Sequence, residues 1–161
     1  MKRNFATPLL ALLSFGLLAA SLVPAAQAAN CSLETTAGDY GFTLTGTLFL
    51  PVGPLPITAI GRFRATIEGT VSGTEARNVA GSFVNETLSA TFTVNPDCTG
   101  TATLMAFESG QLVRTVALSL VWDDNSNELR QVSESVTLPD GTNVPAVLTV
   151  EARKIRPNGS D

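Results

Sequence analysis

The chain predicts an all-β protein, an antiparallel meander of about eight strands closing into a barrel. Three observations predict it. Apolar and polar residues alternate with period two over much of the sequence. Turn residues interrupt that alternation every eight to fifteen positions. No stretch beyond the N-terminal region carries a helical period.

The first strand runs from Tyr40 to Leu50. Phe42, Leu44, Leu48 and Leu50 share one face; Thr43, Thr45 and Thr47 share the other. The proline-rich segment 51–56 breaks it, because proline has no N–H to give to a ladder. The next stretch, Ile57 to Ser72, puts Ile57, Ala59, Phe63, Ala65, Ile67 and Val71 on one parity, with Ile60 the exception. It exceeds a usual strand, so a bend or bulge is expected at Gly61 or Gly69. Thr74 to Val84 alternates weakly and reads as an edge; Thr87 to Asn95 follows, with Phe92 and Val94 apolar. Asn95 to Gly100 (NPDCTG) is a hairpin tip, since proline presets φ while Asn, Asp and Gly accept tight turns.

Thr101 to Phe107, Leu112 to Trp122, Leu129 to Leu138 and Val144 to Ile155 complete the set. Ser109-Gly110, Asp123 to Asn127 and Pro139 to Gly141 supply the turns. Short turns make sequential strands neighbours. Eight strands over this length can close on themselves, which removes the edges. A two-sheet sandwich is the alternative architecture.

The N-terminus reads as an export signal over residues 1–28. Lys2 and Arg3 form a charged start, Leu9 to Leu18 an apolar run, and Ala26-Gln27-Ala28 a small-x-small cleavage pattern. The run is short for a membrane span, and no second one follows. Residues 29–155 then form one β domain, and 156–161 a polar tail. This predicts a periplasmic or secreted protein.

All 14 Asp and Glu lie after the leader, which takes two of the 10 Lys and Arg with it. An acidic chain without a basic run suits neither nucleic acid nor an anionic membrane surface. An outer-membrane barrel would need aromatic girdles, and Tyr40 and Trp122 are the chain's sole Tyr and Trp.

Cys31 and Cys98 are an even pair, and in an oxidising compartment they are expected to form one disulfide. Closing a loop of that length stabilises by roughly 4 kcal/mol on the chain-entropy model.

Several of these segments carry a resemblance. Cys31-Ser32, Gly38–Phe42 (GDYGF), Gly53-Pro54, Glu68–Gly73 (EGTVSG) and Phe92–Thr101 (FTVNPDCTGT) resemble a group of secreted bacterial proteins of unknown function. The group is similar in shape to allene oxide cyclase-like or lipocalin-like barrels. The resemblance spans most of the chain after the leader and is most specific at Cys98-Thr99-Gly100. It implies a small antiparallel barrel and supports the disulfide, and it carries over no catalytic residue. At Arg62 to Glu68 this chain departs from the group's pattern.

The chemistry is bounded by what is missing. The chain has no histidine, which removes Ser-His-Asp and Cys-His catalysis and, with two cysteines, a zinc site. No catalytic residue, metal or cofactor is implied. Paired carboxylates could work as in glycosidases, with Glu68, Glu86, Glu108, Glu134 and Glu151 available. Asp123, Asn125, Asn127 and Glu134 echo a calcium loop, but Glu128 stands where the turn glycine belongs.

The informative pattern is charge on apolar parity. Arg114 shares a face with Leu112, Val116, Leu118, Leu120 and Trp122; Arg130 and Glu134 share one with Val132, Val136 and Leu138. If those faces line the barrel, the charges point inward and must pair, hydrate or meet a ligand. Arg114, Trp122, Arg130 and Glu134 are therefore the candidate ligand-binding residues. Leu112 to Trp122 is apolar on its second face too, through Val113, Ala117 and Val121, which suggests a homodimer or a covered central strand.

The reading is a binding barrel for a small apolar or amphipathic ligand. The alternatives are an interaction module with a filled interior and a cyclase- or isomerase-type enzyme using carboxylates. A cavity of roughly 300 Å³ or more favours a ligand, and a filled interior does not.

Overall fold

Period-two alternation resolves into eight strands in the computed structural model, which describes residues 30–155. The proposed leader and the polar tail lie outside those residues. The strands are β1 Gly38–Leu50, β2 Gly53–Ala65, β3 Thr70–Val79, β4 Ser82–Phe92, β5 Thr99–Glu108, β6 Gln111–Asp123, β7 Glu128–Thr137 and β8 Ala146–Lys154. Each pairs antiparallel with the next, and β8 returns to β1, with Phe42 opposite Ala152 and Leu44 opposite Val150. The sheet is a closed barrel in meander order. Closure satisfies both sides of every strand, so the expected edge over Thr74 to Val84 does not exist.

Three boundaries differ from the expectation. Ile57 to Ser72 is two strands, parted by a turn over residues 66–69. Gly69 there holds φ +75°, and the Thr66 and Thr70 hydroxyls bond at 2.9 Å. Ile67 sits in that turn and is 58% exposed, although its parity is that of the core residues. The next hairpin turns at Ala80-Gly81, where both residues take positive φ as a tight two-residue turn requires. Thr74 to Val84 therefore straddles two strands. Gly53 to Pro56 begin β2 rather than a loop. Pro54 and Pro56 lie at the barrel rim, where a missing N–H costs little.

The core fills from alternating positions. Tyr40 and Phe42 of β1, Ile57 and Ala59 of β2, Leu88, Ala90 and Phe92 of β4, Val116, Leu118, Leu120 and Trp122 of β6, and Leu148, Val150 and Ala152 of β8 are buried. Small residues sit beneath large ones. A Cβ on Gly61 would come within 2.2 Å of the Thr74 carbonyl oxygen and 2.6 Å of the Phe42 ring. A Cβ on Gly100 would meet the Thr93 carbonyl oxygen at 2.1 Å and the Trp122 ring at 2.9 Å. Both glycines let an aromatic from an adjacent strand lie flat on the inner wall.

One end is plugged by a single helical turn, α1 Leu33–Thr36, which the alternation gave no sign of. Ser32 caps it, with the reciprocal Thr35 bond of a capping box. The disulfide joins Cys31 to Cys98, Cα to Cα 5.0 Å, and fastens the plug to the β4–β5 turn. Tyr40, fully buried, donates its hydroxyl to the Thr36 carbonyl at 2.6 Å, with the Ser126 carbonyl oxygen at 3.2 Å. Burial pushes the Tyr40 phenol far above its usual pKa, against a hydrogen bond with Trp122. Lys154 donates to the Thr35 carbonyl at 2.6 Å and completes the closure. The hairpins β1–β2, β3–β4, β5–β6 and β7–β8 lie at the other end.

Candidate functional site

The lumen holds a cavity of about 80 Å³. Tyr40, Phe42, Phe63, Leu88, Leu104, Leu118 and Trp122 make most of its wall, with Ala65, Ala90 and Ala102 as low points. Thr36 and Gln131 are polar, and among the described residues Glu75 and Arg114 are the only charged side chains on it. Several inward apolar groups, among them Leu44, Phe63, Val71 and Leu104, are only half-buried. The lumen is thus narrow and apolar, not filled to a dry core. Its volume exceeds what a water needs (about 10–15 Å³) and falls below the roughly 150 Å³ that takes benzene. It is also well under the roughly 300 Å³ that would favour a ligand over a filled interior, so volume by itself does not select the ligand reading.

The charge on its wall belongs to a knot of four residues. Glu75 on β3 and Glu86 on β4 stand directly opposite in the ladder, both buried. Two like charges so placed repel, and two guanidiniums separate them. Arg77 holds Glu86 in a fork, Nε to Oε2 at 3.1 Å and Nη2 to Oε1 at 2.8 Å. Arg114 reaches from β6, giving Nη1 to Glu86 at 2.8 Å (Oε1) and 2.7 Å (Oε2) and Nη2 to Glu75 Oε1. The intervening strand offers only alanine at the register position of Arg114, Ala106. No buried side-chain polar atom among the described residues lacks a partner.

The two carboxyls are driven apart. Burial pushes Glu75 up to about 7; bonding with Glu86 adds to the rise and the Arg114 charge opposes it. Burial acts on Glu86 in the same sense. There the bonds from Arg77 and Glu75, with the Arg114 charge, outweigh it and hold the group at about 2. Glu86 is thus held toward the anion, and Glu75 is the carboxyl pushed toward its protonated form.

Of the four expected site residues, the structure brings Arg114 and Trp122 to the cavity wall. Arg130 and Glu134 lie on the outside. Arg130, its side chain 63% exposed, pairs with Asp123 at 3.3 Å and Glu128 at 3.7 Å. Glu134 is exposed and accepts from the Ser119 hydroxyl at 2.5 Å. The reason is a bulge. Ser133 opposes Leu118 and Ser135 opposes Ala117, so Glu134 is the extra residue and parity flips across it. Val136 faces in on one side of the bulge; Val132, which shares the parity of Arg130, is 46% exposed on the other. Before the bulge the inward positions of β7 are Leu129, Gln131 and Ser133.

The calcium-like spacing does not converge either. Asp123 to Asn127 form the tip under α1, and Glu134 lies roughly 20 Å further along β7 at 3.3 Å per residue. No cluster of three or more metal-ligating side chains occurs among the described residues. Of the five glutamates considered for carboxylate chemistry, Glu86 alone joins the knot. Glu75 and Arg77, absent from the four expected site residues, carry the same signal as Arg114: they share parity with Val71 and Val79.

Two solved structures follow a similar path. One is a redesigned beta barrel, mFAP1, bound to DFHBI, at 18% identity over 76% of this chain and 98% of that one, with TM-score 0.49. The other is the S-type phycobiliprotein lyase CPES from Guillardia theta, at 7% identity over 81% of this chain and 96% of that one, with TM-score 0.47. No protein-family model matches the chain, and no curated protein sequence does.

Proposed function

We propose that this is an exported binding barrel whose lumen takes a small, slender apolar or amphipathic ligand. One observation carries the reading: an apolar cavity with a single charged spot, Glu75 beside Arg114, on its wall. Small-molecule sites are commonly built this way, with apolar walls for affinity and a polar group for orientation. The volume limits the occupant. A short unbranched chain fits the space better than a fused ring, which would have to displace Phe63 or Leu104. The disulfide supports an oxidising compartment.

Native mass spectrometry of protein purified from its own host tests the reading by looking for a retained small molecule. Ala90→Leu, which fills a low point of the wall, is expected to abolish retention while the barrel stays folded. Undiminished retention in that variant would place the ligand elsewhere.

A second reading has its own observation. A carboxyl poised near 7 on an apolar wall is suited to general acid or base work. Proton exchange at an acidic carbon of a bound ligand, lost in Glu75→Gln, would support catalysis over simple binding.

A further inference from the structure

We propose that the lumen takes a slender monocarboxylate, whose head group replaces the Glu75 carboxylate on the Arg114 guanidinium while Glu75 takes up one proton. This rests on the lumen being a ligand site, and it adds the ligand's chemical class and the coupling.

Glu86 is fully occupied. Both its oxygens are held by Arg77 and Arg114, its side chain has no exposed surface, and it does not border the cavity. It stays put. Arg114 Nη2 points the other way, to Glu75 Oε1, and these two residues both border the cavity. The charged spot is therefore a guanidinium already holding a carboxylate, and the geometry it presents is that of a carboxylate receptor.

Charge counting then selects the ligand. With Glu75 ionised, two guanidiniums face two carboxylates and the knot is neutral. A cationic head group would meet Arg114 in a low-dielectric lumen. A neutral head group cannot match the charge-assisted bond it would displace. A carboxylate can, provided the surplus negative charge is removed, and one proton on Glu75 does that. The exchange balances: the ligand anion and one solvent proton enter, an O–H bond forms on Glu75, and no other bond is made or broken.

Glu75 is the group placed to accept it. The charged or titratable groups facing it are Arg77 on its own strand, Glu86 on β4 and Arg114 on β6. On β2 the inward positions are Gly61 and Phe63, and on β5 they are Leu104 and Ala106. Standing opposite the Glu86 carboxylate favours the proton. The rest of the wall, from Phe42 and Leu118 to Tyr40 and Trp122, suits an alkyl tail.

The test titrates the purified protein with acetate, propanoate and butanoate, and with the matching alcohols, near pH 6 and near pH 8.5. Carboxylates are expected to bind near pH 6 and to weaken by about tenfold per pH unit above the Glu75 pKa. The alcohols should show no such dependence. Calorimetry in two buffers of different ionisation enthalpy should register uptake of one proton per carboxylate near pH 8.5. Glu75→Gln should bind carboxylates near pH 8.5 as tightly as the parent does near pH 6. If alcohols bind and carboxylates do no better, the head-group assignment fails while the lumen site stands. If carboxylates bind with neither pH dependence nor proton uptake, the exchange fails. If neither class binds, the lumen reading and this inference fall together. The calorimetric arm needs only the parent protein, so a misfolded variant does not protect the proposal.

Discussion

Glu75 and Glu86 face each other across the β3–β4 ladder, both buried and both bonded to the guanidinium of Arg114. That relationship makes Arg114 a structural tie as well as a wall of the cavity. Breaking a buried ion pair by removing one partner costs about 3–5 kcal/mol, because the remaining charge is stranded. Arg114→Met is expected to destabilise the barrel by that amount in urea titration at neutral pH. Glu75→Gln in the same chain should recover part of the loss, since the stranded pair becomes one neutral and one Arg77-bound group. Additive losses in the double variant would contradict the pairing.

The pair also sets the pH of greatest stability, and the two carboxyls act in opposite senses. Glu86 falls from 4.5 unfolded to about 2 folded, so its contribution is present above pH 4.5 and is lost as pH drops toward 2. Glu75 rises from 4.5 to about 7, so the folded state holds a proton that the unfolded chain has released. Its contribution is present below 4.5 and is lost as pH rises through 7. The melting temperature should therefore peak near pH 4.5 and decline on both sides. Glu75→Gln should flatten the neutral limb and leave the acid limb. A profile whose neutral limb is unchanged by that substitution would show that Glu75 does not carry the proton.

The inner-wall glycines are packing positions. At Gly61 an added methyl would overlap a backbone carbonyl, which cannot swing aside, as well as the Phe42 ring. Overpacking of this kind costs about 1–3 kcal/mol. Gly61→Ala should lower the denaturation midpoint accordingly, whereas Gly81→Ala, with open space around it, should lose only what its φ of +96° imposes. Equal effects at the two sites would argue against close approach at Gly61.

The disulfide holds the plug rather than the sheet. Cys31→Ala with Cys98→Ala is expected to cost about 2–4 kcal/mol. Hydrogen exchange should then accelerate first at Ala37 and Thr36, whose amides bond to the carbonyls of Leu33 and Ser32. The β1–β8 ladder should keep its protection. Loss of protection across the whole barrel at once would mean that the staple and the sheet form one cooperative unit.

Much of the barrel was legible because alternation is a local signal that closure does not alter. Phe42 and Leu44, and Leu118 and Leu120, announce their own faces. What the sequence hid were the places where one residue resets parity. The Glu134 bulge reversed the reading of Arg130, and the turn over 66–69 made Ile67 look like core. Taking Thr74 to Val84 as one strand concealed the Ala80-Gly81 hairpin, and with it the opposition of Glu75 to Glu86. Had that hairpin been placed, Glu75, Arg77 and Glu86 would have shown the same charge on an apolar face that singled out Arg114. The plug was hidden for another reason: a four-residue helix is too short to display a period.

The central claim is that the lumen is where a ligand goes, and methyl-resolved NMR tests it most directly. Propan-1-ol titrated into the labelled protein should shift the methyls of Leu44, Leu104, Leu118 and Val150, which line the cavity, and the shifts should saturate. The methyls of Val121, Val132 and Val147, exposed on the outer wall, should not move. Saturable shifts confined to the outer methyls, or none at all on the inner ones, would contradict the account.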